Sequence, residues 1–298
     1  MTVEVDVDGH RLTLSNLEKV LYPESGFTKA EVIDYYARIA PILVDHLRGR
    51  ALTFHRFPNG VAAPGFFEKR CPKHRPPWVG VAPGPGDRGG AIDYCEIDSA
   101  AALVWAANLA ALELHAPMAL ARNLDEPRAV VFDLDPGPPA DIHTCATVAL
   151  LVRDVLDAVG LQSLAKTSGS KGLQLYVPLN APATHEHASS FALAVGQLLE
   201  RAHPKLVVTS MAKAIRPGKV LVDWSQNSRH KTTIAVYSLR ARPTPTVSTP
   251  VRWEEVEASA TGAEPLRFDA PRVLQRVEAI GDLFAPVLTL EQHLPAPK

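Results

Sequence analysis

This sequence contains few cysteines and few aromatic residues, and its charges show almost no excess of one sign. Its 298 residues include three cysteines, 6% aromatic residues, and 31 basic against 32 acidic side chains, for a formal net charge of −1. Three scattered cysteines (Cys71, Cys95 and Cys145) exclude a disulfide-stapled miniprotein, predict no disulfide framework and favour a reducing compartment. Because the charge is balanced, any site for a polyanion must be a local patch.

Long hydrophobic runs are also missing. The longest charge-free apolar stretch, 99–112, is too short to cross a bilayer as a helix. The N-terminus has no basic segment followed by an apolar core, so it does not have the form of a signal peptide. We therefore predict a cytoplasmic protein without a membrane partner.

The spacing of apolar residues indicates a mixture of helices and strands. Helical spacing predicts helices over 29–47 (after a capping box at Thr28 and Glu31), 99–114, 144–159, 186–203 and 270–284. Short apolar runs predict strands over 128–135, 172–179, 219–224 and 232–239. The stretch 71–90, rich in proline and glycine, predicts a long loop. This order of elements favours an α/β or α+β fold.

Asp133 and Asp135 form the strongest local motif, VVFDLDPG. Residues two apart on a strand point to the same face, with Cα atoms roughly 6.5–7 Å apart. Two carboxylates this close repel each other unless a cation lies between them, which suits divalent ions with oxygen ligands. The alternative is one outward acid at the strand end and one aspartate that caps the Pro-Gly turn.

A third acid, Asp223, interrupts the apolar run KVLVDW. A lone buried carboxylate is costly unless it is paired or bound to a metal. Asp223 is therefore a candidate ligand, although it could also start the turn into Ser225, Gln226 and Asn227.

Phosphate and polyanion sites are indicated by a small-residue loop and two basic patches. The loop TSGSKG (167–172) lets backbone N–H groups approach an anion and adds Lys171, although a turn of this composition is often only a turn. Cations are concentrated in two segments: Lys213, Arg216, Lys219, Arg229, Lys231, Arg240 and Arg242, and then Lys69, Arg70, Lys73 and Arg75 directly after Phe66-Phe67. Aromatic rings beside cations suit base stacking and backbone neutralisation.

Four stretches together resemble the polymerase domain of bacterial DNA ligase D, which serves in non-homologous end joining and belongs to the archaeo-eukaryotic primase superfamily. They are VFDLDPG, TSGSKGL, VDWSQN and KTTIAVYSLR, in that order. The resemblance implies an α+β fold, with an RRM-like antiparallel catalytic sheet fused to an N-terminal α/β portion. It implies one domain over 1–298: an N-terminal portion over about 1–125, a catalytic portion over about 126–242, and a C-terminal strap and helix over 243–298.

The resemblance also implies roles for individual residues. Asp133, Asp135 and Asp223 match catalytic carboxylates that hold two Mn²⁺ or Mg²⁺ ions. Nucleotide contacts are implied for His115, Ser168, Ser170, Lys171, Gln174, Gln226 and Arg240. DNA contacts are implied for three groups: Phe66 and Phe67 near the templating base, Arg216 on the template, and Asn16, Lys19 and Lys29 around the 5′-phosphate of the downstream strand.

One residue departs from the family pattern. After SGSKGL the family usually has a histidine, and Gln174 stands here. An amide can form hydrogen bonds but carries no charge, which reduces the expected nucleotide affinity or rate. A catalytically weak relative that binds DNA ends is therefore one alternative, and a phosphatase that uses Asp133 as nucleophile is another.

The expected activity is template-directed nucleotide addition, with ribonucleotides preferred, at gaps and broken ends that carry a 5′-phosphate. Nucleoside triphosphates and DNA are the expected partners, Ku and a DNA ligase are candidate protein partners, and a nucleoid-associated monomer is expected. The resemblance fits a stand-alone relative and a piece of a longer ligase equally well.

Overall fold

The structure is a computed structural model that describes residues 2–86 and 89–296. Its strands are β1 (Thr2–Val7), β2 (His10–Ser15), β3 (Val20–Tyr22), β4 (Phe27–Thr28), β5 (Thr53–Arg56), β6 (Phe66–Glu68), β7 (Val81–Pro85), β8 (Ala91–Cys95), β9 (Ala111–Pro117), β10 (Ala119–Leu120), β11 (Asn123–Pro127), β12 (Ala129–Pro136), β13 (Leu164–Thr167), β14 (Leu173–Pro178), β15 (Val207–Val208), β16 (Val220–Asp223), β17 (Thr232–Ile234) and β18 (Pro250–Val251). Its α-helices are α1 (Lys29–Leu47), α2 (Ala100–Asn108), α3 (Ile142–Ala158), α4 (His185–Ala202), α5 (Trp253–Ala260), α6 (Ala270–Ile280) and α7 (Pro286–Thr289).

The chain forms two compact units. Unit 1 comprises residues 1–122, 232–248 and 268–282, and unit 2 comprises residues 123–231, 249–267 and 283–298. Among the helices of the described residues, none has both the length and the hydropathy that crossing a membrane requires.

Unit 1 contains a four-stranded antiparallel sheet in the order β17-β9-β5-β6. Helix α1 starts as predicted, because the side chain of Thr28 accepts from the N–H of Glu31 and the Glu31 carboxylate accepts from the N–H of Thr28. The phenol of Tyr36, buried on α1, donates to the carbonyl of Leu112 in β9. The sheet and the helix thus share one buried polar contact inside an apolar core.

Unit 2 contains a six-stranded sheet in the order β15-β16-β12-β14-β13-β18. Its pairs are antiparallel except for β15 with β16. Four of the strands and two helices occur along the chain as β12-α3-β13-β14-α4-β16, with the two-residue strand β15 inserted before β16; this is the β-α-β-β-α-β order of RRM-like and ferredoxin-like folds. The prediction of an α+β fold with an antiparallel sheet is confirmed. Phe132 in β12 contacts Phe191 of α4, so alternation turns Asp133 away from that helix.

The predicted helix over 99–114 is wrong in its second half. Helix α2 ends at Asn108, Ala110 has a φ of 57°, and β9 begins at Ala111. Left-handed backbone at a non-glycine residue ends a helix, and the apolar composition of 109–114 suits a buried strand as well as a buried helix.

The predictions for residues 71–90 and for the cysteines also need correction. Strand β7 begins inside this stretch and pairs with β8 as a hairpin, while residues 87 and 88 lie outside the described residues. Cys71 and Cys95 form a disulfide, because the hairpin returns the chain to Cys71 and brings the two Cα atoms within 4.7 Å. The scarcity of cysteine therefore no longer supports a reducing compartment.

Candidate active site

Three carboxylates share one face of the sheet in unit 2. Asp133 in β12 is the register partner of Asp223 in β16, and Asp135 lies two residues further along β12. Directly opposite residues on antiparallel strands point to the same face, as do residues two apart on one strand. The sequence-predicted carboxylates are thus brought together.

Asp133 is held in an unfavourable electrostatic environment. The pKa of Asp133 is raised to about 7, first by burial and then by the charges of Asp135 and Asp223. A hydrogen bond from Gln174 and the charge of Lys166 lower this pKa and so offset part of the rise. A cluster of this kind gains stability from a bound cation.

Lys166 and Gln174 form a polar chain behind Asp133. Across the sheet, Lys166 is the register partner of Gln174, which in turn is the partner of Asp133. Lys166 Nζ donates to Gln174 Oε1 (2.6 Å), and Gln174 Nε2 donates to Asp133 Oδ1 (3.1 Å). Lys166 is fully buried and was missed by sequence reasoning, although a lone lysine in the apolar run SLAKT is a signal.

Asp223 also caps the short 3-10 helix that follows β16. Its Oδ1 accepts from the Ser225 N–H (2.9 Å) and hydroxyl (2.6 Å), and its Oδ2 accepts from Gln226 Nε2 (3.0 Å). The alternative interpretation of Asp223 as a turn-starting residue is therefore also correct. The contact with Gln226 links one predicted nucleotide residue directly to a predicted metal ligand.

The loop 167–172 is built around the hydroxyl of Ser168. This hydroxyl accepts from the backbone N–H groups of Ser170 (3.3 Å) and Gly172 (3.2 Å), while the side chain of Lys171 is exposed. A Cβ atom at Gly172 would lie 2.2 Å from the carbonyl oxygen of Leu134, between the two aspartates of β12. Glycine is required there for the loop to approach the strand.

Arg216 lies in the basic segment of unit 2. Its guanidinium donates to the carbonyl oxygen of Met211, and its own carbonyl lies so near Gly137 that a Cβ there would be 2.3 Å away. The Pro-Gly turn after Asp135 therefore packs directly against the backbone of Arg216.

In unit 1, a second cluster occupies one face of the four-stranded sheet. His55 on β5 pairs with Glu113 on β9, and His115 lies two residues after Glu113. Glu113 Oε2 contacts His55 Nδ1 (3.1 Å) and His115 Nε2 (2.9 Å), and these three side chains could hold a metal ion. Burial lowers the pKa of His115, which the hydrogen bond to Glu113 opposes. Sequence reasoning missed His55 and Glu113.

Arg240 and the aromatic pair adjoin this second cluster. Arg240 Nε donates to Glu113 Oε1 (3.0 Å). The exposed ring of Phe67 stacks on His55, with centroids 4.0 Å apart, and the guanidinium of Arg56 lies 5.2 Å from the ring of Phe66. Because Phe66 and Phe67 are consecutive on β6, their exposed rings point to opposite faces of the strand, and each ring is of a kind that can stack on a base.

Asn16, Lys19 and Lys29 lie around the start of α1. The N–H of Lys19 donates to the carbonyl of Asn16, and the N–H of Lys29 donates to the carbonyl of Lys19. Lys29 is buried, and its Nζ donates to the carbonyl of Ser15 (2.6 Å). Burial, with the charges of Lys19 and Arg56, lowers the pKa of Lys29 to about 8. The three predicted phosphate residues, one amide and two lysines, thus lie next to one another.

A family model described as "LigD, primase-polymerase domain" matches residues 28–284. This chain belongs to the LigD primase-polymerase family. The phosphatase alternative for Asp133 consequently has no support.

Curated relatives and a solved structure agree with this family. The multifunctional non-homologous end joining DNA repair protein LigD of Mycobacterium tuberculosis strain H37Rv is 46% identical over 92% of this chain and 36% of its own length. The LigD proteins of Mycolicibacterium smegmatis (44% identical, over 93% of this chain and 36% of the relative) and Bacillus subtilis (30%, over 91% and 43%) also match.

The polymerase domain from Mycobacterium tuberculosis ligase D, solved in complex with DNA, has a TM-score of 0.88 and 43% identity. The match covers 95% of this chain and 99% of that one. The chain spans about a third of the length of the mycobacterial LigD relatives, so it corresponds to their primase-polymerase portion.

Proposed function

We propose that this chain is a template-directed nucleotidyltransferase that extends primer 3′ ends at gaps and double-strand breaks in end-joining repair. The observation that carries the proposal is the position of Asp133, Asp135 and Asp223 on one face of the RRM-like sheet. In this reaction the primer 3′-oxygen forms a bond to the α-phosphorus of a nucleoside triphosphate, and the bond from that phosphorus to pyrophosphate breaks. Membership of the LigD primase-polymerase family and similarity to a polymerase domain solved with DNA support this activity.

The carboxylate cluster fits two divalent cations. Three carboxylates supply only oxygen ligands, as Mn²⁺ and Mg²⁺ prefer, and a bound cation would oppose the burial and the charges of Asp135 and Asp223 that raise the pKa of Asp133. Asp133, Asp135 and Asp223 would hold the ions. When bound, the ions lower the pKa of the attacking hydroxyl and neutralise charge on the triphosphate.

Hydrogen bonds from neighbouring side chains orient these carboxylates. Gln174 fixes one oxygen of Asp133, and Ser225 and Gln226 fix Asp223. We assign nucleotide contacts to His115, Ser168, Ser170, Lys171, Gln174, Gln226 and Arg240, with Ser168, Ser170 and Lys171 at the sugar and triphosphate. Ribonucleotides are the proposed preferred substrates.

DNA contacts are assigned to the exposed aromatic and basic residues. Phe66 and Phe67 stack near the templating base, and Arg216 contacts the template. Asn16, Lys19 and Lys29 bind the 5′-phosphate of the downstream strand. The proximity of Asn16, Lys19 and Lys29 at the start of α1 and the exposed rings of β6 support these assignments.

The proposal extends to the wider setting of the chain. We propose that residues 1–298 act as one catalytic domain, as a monomer, with Ku and a DNA ligase as protein partners near the bacterial nucleoid. The names of the curated relatives place them in non-homologous end joining, which supports this setting.

Primer extension on a gapped duplex tests the proposed activity. Manganese is compared with magnesium, ribonucleotides with deoxyribonucleotides, and a 5′-phosphate with a 5′-hydroxyl at the gap. Asp133→Ala is expected to abolish incorporation while DNA binding persists. Asp154→Ala, which removes an exposed carboxylate of the same unit, is the matched control.

Incorporation near the wild-type rate by Asp133→Ala would overturn the metal assignment. Absence of incorporation by the wild-type protein, with 5′-phosphate-dependent binding retained, would favour the end-binding alternative.

A further inference from the structure

Glu113 has every acceptor position of its carboxylate engaged. Its Oε2 accepts from His55 Nδ1 (3.1 Å) and His115 Nε2 (2.9 Å). Its Oε1 accepts from Arg240 Nε and from the backbone N–H of Ala241, both at 3.0 Å. An ionised carboxylate offers about four lone-pair sites and only accepts, so both imidazoles must present an N–H to it.

This carboxylate is buried, and its surroundings favour the ionised form. Glu113 is 5% exposed. Burial alone would raise the pKa of Glu113, but the hydrogen bonds from His115 and His55 and the charge of Arg240 hold it well below its ordinary range. Charge-assisted hydrogen bonds to a buried carboxylate are short and hold their donors in place.

The side-chain partners of Glu113 lead to two parts of the proposed site. His115 and Arg240 are the two nucleotide contacts assigned to unit 1. His55 stacks on Phe67, with ring planes inclined by 13°, and Phe67 is the register partner of His55 on the adjacent strand. One buried side chain therefore fixes two nucleotide-contacting groups directly and the base-stacking ring through one intermediate.

We propose that Glu113 is a positioning residue that holds His115, Arg240 and the His55–Phe67 stack in the arrangement that receives the incoming nucleotide opposite the templating base. This role rests on the proposed polymerase function. In this role Glu113 does not contact the substrate, because every acceptor position of its carboxylate is bonded to the protein.

A metal ion held by His55, Glu113 and His115 is the competing role for the same residues. Such an ion would have to displace the protons through which both histidines bond to Glu113. It would also lie beside the guanidinium of Arg240 on the same carboxylate. Repulsion between the two cations and the loss of satisfied hydrogen bonds disfavour it.

Glu113→Gln tests the positioning role, because the amide keeps the shape but presents N–H donors where the carboxylate accepts. We expect the KM for the nucleotide to rise about tenfold or more, since a hydrogen bond to a charged group is lost, while kcat changes less. Asp282→Asn is the matched control: Asp282 is a carboxylate of the same unit that bonds the buried His46 (2.8 Å) and Tyr237 (2.7 Å).

Two readouts are independent of catalysis. In ¹⁵N-histidine NMR of the wild-type protein, His55 and His115 should each show a protected ring N–H, and both signals should be lost in Glu113→Gln and kept in Asp282→Asn. A gapped duplex with 2-aminopurine at the templating position should be quenched by stacking on Phe67, and Glu113→Gln should weaken the quenching.

His55→Leu keeps the test informative if Glu113→Gln fails to fold. It removes the connection from Glu113 to Phe67 but leaves the hydrogen bonds of Glu113 to His115 and Arg240 in place, so quenching should weaken while the KM for the nucleotide stays within twofold of wild type. If the wild-type protein incorporates no nucleotide, the proposed function fails, yet the NMR and quenching experiments still decide the role of Glu113.

Two results would overturn the proposal. One is Glu113→Gln with wild-type KM, ring N–H signals and quenching. The other is stoichiometric binding of Zn²⁺ by the wild-type protein that Glu113→Gln abolishes, with no ring N–H signals from the two histidines, which would make the cluster a metal site.

Discussion

The side-chain amide of Gln174 donates a hydrogen bond from Nε2 to Oδ1 of Asp133 over 3.1 Å. Its orientation is fixed chemically, because Lys166 on the other side can only donate and therefore requires the carbonyl oxygen of Gln174. The buried lysine thus directs the amide donors toward the carboxylate. Gln174 therefore bonds to both Lys166 and Asp133 at the position where the family resemblance implies a histidine.

The Lys166–Gln174 contact should appear as strong coupling in a double-mutant cycle. Lys166→Met leaves a buried carbonyl without this donor, and Gln174→Leu leaves a buried cation without this acceptor, whereas the double variant is apolar at both positions. We expect the double variant to be less destabilised than the sum of the single variants by about 1–2 kcal/mol. Guanidinium unfolding provides the free energies.

Lys166→Met combined with Asp125→Asn is the control for this cycle. Asp125 pairs with Arg229 at the surface, so these two changes should add to within about 0.5 kcal/mol. Additivity of Lys166→Met and Gln174→Leu within the same margin would show that the buried contact contributes no net coupling.

The sequence was sufficient to predict the carboxylate face of unit 2. Strand alternation puts Asp133 and Asp135 on one side, and the apolar run around Asp223 marks a neighbouring buried strand. The sequence did not predict the register that puts Asp223 opposite Asp133, because strand pairing depends on the packing of the whole sheet. Lys166 was missed for the same reason, since its only local signal is an apolar run.

The cluster around Glu113 could not be predicted, because the segment that carries it was assigned to a helix. On a helix over 99–114, Glu113 and His115 would point in different directions, whereas on β9 they share a face. His55 and Phe67 join them through pairings between strands that are distant in the sequence. The disulfide between Cys71 and Cys95 likewise depends on how the hairpin returns the chain.

Gly172→Ala should destabilise unit 2 and reduce incorporation. The new methyl group would lie 2.2 Å from the carbonyl oxygen of Leu134, and backbone on both sides leaves little room to relax. We expect a loss of about 1–3 kcal/mol in the free energy of unfolding.

Gly80→Ala is the control. Its methyl group would lie 3.4 Å from the nearest atom, on Glu96, and should change stability little. Equal stability of the two variants would contradict the close approach of the loop to β12.

Binding of a 5′-phosphate should weaken as the pH rises through about 8. Lys29 has a lowered pKa of about 8, so its attraction for phosphate is present below that pH and is lost above it. The phosphate itself is already a dianion throughout this range. Affinities of gapped DNA with a 5′-phosphate, measured from pH 7 to 9, should fall relative to the same DNA with a 5′-hydroxyl.

In Lys29→Ala this pH-dependent difference between the two DNAs should disappear. A parallel pH profile for both DNAs in the wild-type protein would exclude Lys29 from the phosphate site.

Reduction of the disulfide should destabilise unit 1. Cys71 and Cys95 close a loop with a sequence separation of 24, and the chain-entropy argument for such a loop gives about 3 kcal/mol. Thermal unfolding with and without reductant should differ for the wild-type protein and not for the variant with Cys71→Ser and Cys95→Ser.

Cys145 provides the control. It is buried on α3, and burial raises the pKa of its thiol, so Cys145→Ala should keep the full response to reductant. Alkylation of the denatured, unreduced protein checks the bond itself: modification of Cys145 alone is expected, and modification of all three cysteines would contradict the pairing.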